Sequence, residues 1–141
     1  MFTHGREMTF KDRCVVITGA AQGIGRGIAQ AFALAEARVA LVDCNPEAGL
    51  AAERELSSVG HATFFEADIA EEAAVQEVAG QVMDRYGRID VLVNNAGLSI
   101  RKPFTALSLA DWHRVLAVNL TGPMLCAREF AAELVRQKGA I

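Results

Sequence analysis

One run of eight residues constrains the possible fold more than any other feature of this chain: Thr18-Gly19-Ala20-Ala21-Gln22-Gly23-Ile24-Gly25. It directly follows a continuous apolar run, Cys14-Val15-Val16-Ile17. It opens onto Ile24, Ile28, Ala31, Phe32 and Ala35, apolar residues at helical spacing. A short uninterrupted apolar run is the pattern of a strand buried on both faces. The glycines therefore join a buried strand to a helix, the context in which such a turn cradles phosphate. Gly19 allows the tight turn, Gly23 lets a pyrophosphate approach the backbone, and Gly25 permits close helix–strand packing. The free N–H groups at the helix start favour the phosphate charge. The alternative is a plain strand-to-helix turn without a ligand.

The rest of the chain keeps the same alternation. Val39 to Val42 form a second apolar run that closes at Asp43, and Asn45-Pro46 reads as a helix cap with proline in the first turn. That helix is expected to run to about Gly60, a C-terminal cap. Ala62 to Glu66 reads as a third strand. Glu71-Glu72 open a helix with Val75, Val78, Val82, Met83 and Tyr86 as its apolar stripe. Val91-Leu92-Val93 is a fourth strand, and Ser108 with Asp111 resembles a capping pair for a long helix to about Gln137. Thr121-Gly122-Pro123 should kink that helix. Gly139-Ala140-Ile141 reads as the first residues of a fifth strand.

Strand–helix alternation predicts an α/β fold, a doubly wound parallel sheet of Rossmann type. Its full form runs to about six strands in the order 3-2-1-4-5-6. The predicted organisation is a flexible tail over residues 1–9 and a partial nucleotide-binding domain over 10–141. The sheet is truncated after the fourth strand and the long following helix. At 141 residues one domain is the most that fits. The hydrophobic content of 52% is mostly an excess of alanine, which suits close packing of helices on a sheet.

Charge narrows the partners. A net charge of −3 with both signs scattered gives no basic face for nucleic acid or an anionic membrane. No apolar run approaches the ~18 residues of a membrane span. The polar start, Met1 to Thr9, does not read as a signal peptide. Cys14, Cys44 and Cys126 are odd in number and widely spaced. They fit neither a disulfide framework nor a metal site, and a reducing cytoplasm is the simplest setting.

Asp43 stands 43 − 25 = 18 residues past the last glycine of the turn. An acid ~20 residues on, at the end of the second strand, binds an adenosine ribose hydroxyl. A carboxylate there repels a 2′-phosphate, so NAD is expected over NADP. Cys44, rather than an arginine, follows Asp43, and neutral Gln22 precedes Gly23, both in agreement. An ordinary strand-ending aspartate is the alternative.

With these residues in view, the chain resembles the short-chain dehydrogenase/reductase family, in its classical branch. The spacing Thr18-Gly19-xxx-Gly23-Ile24-Gly25 is typical of that family, and Asn94-Asn95-Ala96-Gly97 after the fourth strand is similar to its second signature. Asp68-Ile69 resembles the family's adenine-contacting pair, and Val118-Asn119-Leu120 its third motif. The resemblance covers residues 10–141. It implies that Asn94, Asn95, Ala96 and Gly97 brace the sheet and line the cofactor's path, and that Ile24 sits by the phosphates and nicotinamide. It also implies that Asn119 is the first member of an Asn–Ser–Tyr–Lys catalytic group, holding a water in a proton relay. Without the resemblance, Asn119 on the apolar face of Trp112, Val115 and Leu116 reads as a structural asparagine that must find partners. Glu36 stands where the family usually has glycine.

The resemblance implies hydride transfer between a nicotinamide cofactor and a secondary alcohol or ketone, in a homo-oligomer. The serine, tyrosine and lysine of the catalytic group are missing. The sole tyrosine is Tyr86, followed four residues later by Asp90, and Ser57, Ser58, Ser99 and Ser108 all precede the fifth strand. The chain alone is therefore expected to bind cofactor without turnover, its fourth strand exposed as an apolar edge. Two other classes remain open: a non-catalytic nucleotide-binding or dimerising protein, and a methyltransferase using S-adenosylmethionine. The second does not account for the glycine spacing or the Asn94–Gly97 run.

Overall fold

The four expected strands form one parallel sheet, in the order β3-β2-β1-β4. These are β1 (Cys14–Thr18), β2 (Arg38–Asp43), β3 (His61–Glu66) and β4 (Val91–Val93). The structure, a computed structural model, describes residues 9–141. The expected tail, apart from Thr9, lies outside the described residues. Helices α1 (Gly23–Leu34), α2 (Pro46–Leu56) and α3 (Glu72–Tyr86) are the crossovers between successive strands. A 3-10 turn (Phe104–Ala106) leads to α4 (Leu109–Leu116), a π-helical turn (Ala117–Thr121) and α5 (Gly122–Gln137).

Side chains of a strand alternate between faces, and here both faces are covered. Cys14, Val16, Ala40 and Val42 pack with Val75, Val78, Val82, Leu125 and Phe130 of α3 and α5. Val15, Ile17, Val39 and Leu41 pack on the other side with Ala29, Ala33, Ala52 and Leu56 of α1 and α2. This is the doubly wound arrangement expected.

The local differences have physical causes. On α1 the large apolar residues do not face the sheet. Gly25, Ala29 and Ala33 are buried, while Ile24 is 78% exposed. Small residues let the helix approach closely, and Ile28 and Phe32 flank the contact. The regular part of α2 ends at Leu56, short of Gly60, whose N–H closes the turn on the Leu56 carbonyl. The long helix is interrupted one turn before Pro123 by the π-helical turn rather than by a sharp bend at the proline. Lys102, in the loop before Pro103, is paired with Asp111 at 2.7 Å. The edge of β4 is not bare: Ala140 forms a parallel bridge to Val91, with Leu92 N–H donating to its carbonyl at 3.0 Å. Glu36 does adopt the left-handed region, at φ 67°.

One buried acid ties the strand-start end together. The Asp90 side chain is fully buried, and it accepts from Cys14 N–H (2.9 Å), Arg13 Nη1 (3.2 Å) and Arg88 Nε (2.8 Å). Arg88 also reaches Gln137 at the end of α5.

Candidate functional site

The opposite, carboxyl end of the strands holds a cleft of about 450 Å³. The strand order reverses there, between β1 and β4. Its walls come from the turn after β1, the end of β2, and the segments after β3 and β4. Gly19, Gln22, Gly23, Ile24 and Gly25 form the first of these, Asp43 the second, Asp68 and Ile69 the third, and Asn95, Ala96 and Gly97 the fourth. A wider groove of about 960 Å³ lies at the strand-start end, around Lys11, Arg38, His61 and Tyr86. None of the motif residues reaches it.

The glycine turn is shaped by contact. Gly19 sits at φ 64°, and a Cβ there would lie 2.8 Å from the Ala96 Cα. A Cβ on Gly25 would collide with the Gly19 carbonyl and the Asn95 amide, so Gly25 packs against the turn itself. Gly23, at φ 57°, faces open space. The N-terminus of α1 carries no side-chain cap and no acid in its first turn. By contrast, Asn45 caps α2 and Ser108 caps α4. The N–H groups of α1 thus point toward the cleft with room for an anion.

Thr18 does not line the cleft. It is 1% exposed, and its Oγ1 accepts from the N–H groups of Asn95 and Ala96, each at 3.1 Å. Asn95 Nδ2 donates to the carbonyls of Thr18 (3.0 Å) and Gly19 (3.1 Å). Asn95 and Thr18 together hold the turn to the segment after β4. Asn94 makes no such bond, and its Oδ1 is buried without a hydrogen-bond partner among the described residues.

Asp43 braces the turn from the other side. Its Oδ2 accepts from Ala21 N–H (3.0 Å) and its Oδ1 from Asn45 N–H (3.1 Å). Burial and the charges of Asp43 and Asp68 push the neighbouring Cys44 thiol up. Asp68 accepts from Ala70 N–H at 3.0 Å and pairs with Arg114 Nη2 at 2.9 Å. Burial works to raise its carboxyl, but the Ala70 N–H and the Arg114 guanidinium outweigh it and hold the group below the usual aspartate value.

Asn119, in the π-helical turn, lies outside the cleft walls. Its Oδ1 accepts from Leu98 N–H (2.7 Å), and its Nδ2 donates to the Leu98 carbonyl (2.9 Å). The partners that a polar residue on an apolar face needs are therefore backbone groups. One lone pair and one N–H of the amide stay free for a further bond. Arg114, Val118 and Leu98 also line the cleft. Val118, in the π-helical turn, belongs to the third motif. Nothing in the sequence pattern singled out Arg114 or Leu98, because α4 and the loop before it place them by tertiary contact.

Tyr86 lies at the far end of the sheet. Its hydroxyl donates to the Val39 carbonyl at 3.3 Å, and burial pushes its pKa up. Neither its position nor its acidity suits an acid or base for the cleft.

The family model for short chain dehydrogenase matches residues 13–141. The chain belongs to the short-chain dehydrogenase family. A D-threitol dehydrogenase of Mycolicibacterium smegmatis is 40% identical over 128 residues, which are 90% of this chain and 49% of that protein. The meso-2,3-butanediol dehydrogenase of Serratia marcescens is 34% identical over 134 residues, 95% of this chain and 53% of that one. Among solved structures, a metagenomic short-chain oxidoreductase in complex with NADP superposes with a TM-score of 0.86 at 36% identity, covering 92% of this chain and 60% of that chain. This short-chain dehydrogenase sequence spans about half the length of the curated relatives it matches. Among the described residues, no helix is long and apolar enough to cross a membrane.

Proposed function

We propose that this chain is the cofactor-binding half of an NAD-dependent oxidoreductase that interconverts a secondary alcohol and its ketone. One observation carries the reading. The glycine turn, Asp43, the Asp68-Ile69 pair and Asn95 to Gly97 converge on a single cleft at the carboxyl ends of the strands, where the strand order reverses. That crevice is where open α/β sheets bind ligands. When bound, the nicotinamide supplies the hydride acceptor or donor.

The residues divide the binding work. The uncapped start of α1 takes the pyrophosphate, with Gly23 leaving the backbone open to it. Asp43 keeps one lone pair on each oxygen beyond its bonds to Ala21 and Asn45, enough to accept from ribose hydroxyls. Its charge disfavours a 2′-phosphate, which supports NAD over NADP. Asp68 and Ile69 take the adenine, and Ile24 lies at the mouth. Thr18, buried away from the cleft, acts through Asn95 and Ala96. Asn119 fixes the Leu98 backbone beside Gly97, and the free part of its amide is where a relay water would bind.

In the whole protein the substrate is a small alcohol or ketone and the assembly a homo-oligomer. These 141 residues bind without turnover, because Tyr86 is committed to the far end of the sheet. Calorimetric titration of the chain with NAD and NADP tests the reading. The expected result is saturable NAD binding, weaker binding of NADP, and a narrowed gap in Asp43→Asn, with no NADH formed when a secondary alcohol is added. Tighter binding of NADP, or binding of neither dinucleotide, would overturn it.

A further inference from the structure

Arg114 carries an inference that extends the cofactor reading and rests on it. It is the single Lys or Arg lining the cleft among the described residues, in a lining that also holds two acids, Asp43 and Asp68. It reaches across 46 positions of sequence to place Nη2 at 2.9 Å from Asp68 Oδ2. The other carboxylate oxygen, Oδ1, accepts from Ala70 N–H at 3.0 Å. The two restraints act on different oxygens from different elements, one in the segment after β3 and one on α4. Together they fix both the position and the plane of the carboxylate. Without Arg114, the Ala70 bond alone leaves Asp68 free to turn.

An ion pair this exposed contributes little to folding. The Arg114 side chain is 48% exposed and that of Asp68 32%, and such pairs contribute about 0–1 kcal/mol. α4 is already fixed at its start by the capping box of Ser108 and Asp111. The bridge is therefore weak as a staple but well placed as a guide. An oriented carboxylate with one free lone pair per oxygen accepts a hydrogen bond from an amino group in its plane, and repels a carbonyl in the same place.

We propose that Arg114 is a positioning residue that aims the Asp68 carboxylate at the base of the dinucleotide, and so selects adenine, which carries an exocyclic amino group, over a 6-oxopurine. Its charge also offsets one of the two cleft acids, which eases entry of an anionic dinucleotide.

The test uses the 141-residue chain and two probes, NAD and nicotinamide hypoxanthine dinucleotide, in which a carbonyl oxygen replaces the amino group. Dissociation constants are measured by calorimetry for the native chain, Arg114→Gln, Arg114→Lys and Asp68→Asn. A charge-assisted hydrogen bond sets the expected preference of the native chain for NAD at about tenfold or more. Arg114→Gln should reduce that ratio to about threefold or less. Arg114→Lys should restore most of it, and Asp68→Asn should abolish it. The unfolding midpoint of Arg114→Gln should stay close to native, which separates aiming from folding.

If Arg114→Gln weakens both probes equally and keeps the native ratio, its role is structural and this inference is overturned while the cofactor reading stands. If the native chain binds NAD without preferring it, the inference is again overturned. If it binds neither probe, the cofactor reading falls and takes this inference with it.

Discussion

Gly19→Ala tests whether the turn that shapes the cleft is as tightly determined as its contacts indicate. Two costs add. An alanine at φ 64° sits in the left-handed region, which costs an L-residue about 1–2 kcal/mol. Its Cβ would then lie 2.8 Å from the Ala96 Cα and 3.1 Å from both the Ala96 nitrogen and Asn95 Nδ2. Two of those three atoms are backbone, so relief requires the segment after β4 to move. Overpacking of that kind costs about 1–3 kcal/mol. The sum, about 2–5 kcal/mol, is a large part of the ~5–15 kcal/mol that holds a domain folded. Any relief also disturbs the bonds from Asn95 to Thr18 and Gly19, so the surviving folded protein should bind NAD more weakly. Urea unfolding at neutral pH gives the stability term, and calorimetry gives the binding term. Gly27→Ala is the internal control, since Gly27 lies in α1 and a Cβ there meets nothing within 4 Å. That change should stabilise by up to about 1 kcal/mol through helix propensity. A Gly19→Ala variant within about 0.5 kcal/mol of native, or a Gly27→Ala variant just as damaged, would refute the reasoning.

Two further substitutions probe strain and buried charge. Glu36→Gly relieves a left-handed backbone at φ 67° and should stabilise by about 0.5–1 kcal/mol after the entropy of the unfolded chain is counted. Calorimetric melting would show it as a rise of roughly 2–4 °C. Asp90→Asn should destabilise by about 2–4 kcal/mol at pH 7, because an amide cannot accept from both arginines and the Cys14 N–H at once. Burial pushes the Asp90 carboxyl up, but Arg88, the Cys14 N–H and Arg13 outweigh it and hold it low. Its contribution is therefore complete above the ordinary aspartate value and is lost as pH falls through the lowered one. The gap between native and variant in urea unfolding should close below about pH 4.

The sequence was most readable where local pattern and tertiary packing demand the same residues. Continuous apolar runs at Cys14–Ile17 and Val39–Val42 can be satisfied only by strands covered on both faces, and they are. The capping of α2 by Asn45 and α4 by Ser108 follows from chemistry within a few residues. Reading failed where the deciding partner is far away in sequence. The buried stripe of α1 is made of its small residues because the sheet comes close, which helical spacing alone cannot reveal. Thr18 sits inside the glycine motif, yet its hydroxyl serves Asn95 and Ala96, across 77 and 78 positions of sequence. Arg114 carries no motif at all, and only its distance to Asp68 makes it visible. The break before Pro123 takes the form of a π-helical turn, which spacing does not encode.

The central claim is that a dinucleotide sits in the cleft at the carboxyl end of the strands. Titrating isotope-labelled chain with NAD, and following each backbone amide by nuclear magnetic resonance, tests it most directly. Saturable shifts should concentrate at Gly19, Gly23, Asp43, Asp68 and Gly97, while Lys11, His61 and Tyr86 at the opposite end stay still. Shifts centred on that opposite groove, or none that saturate, would contradict the account.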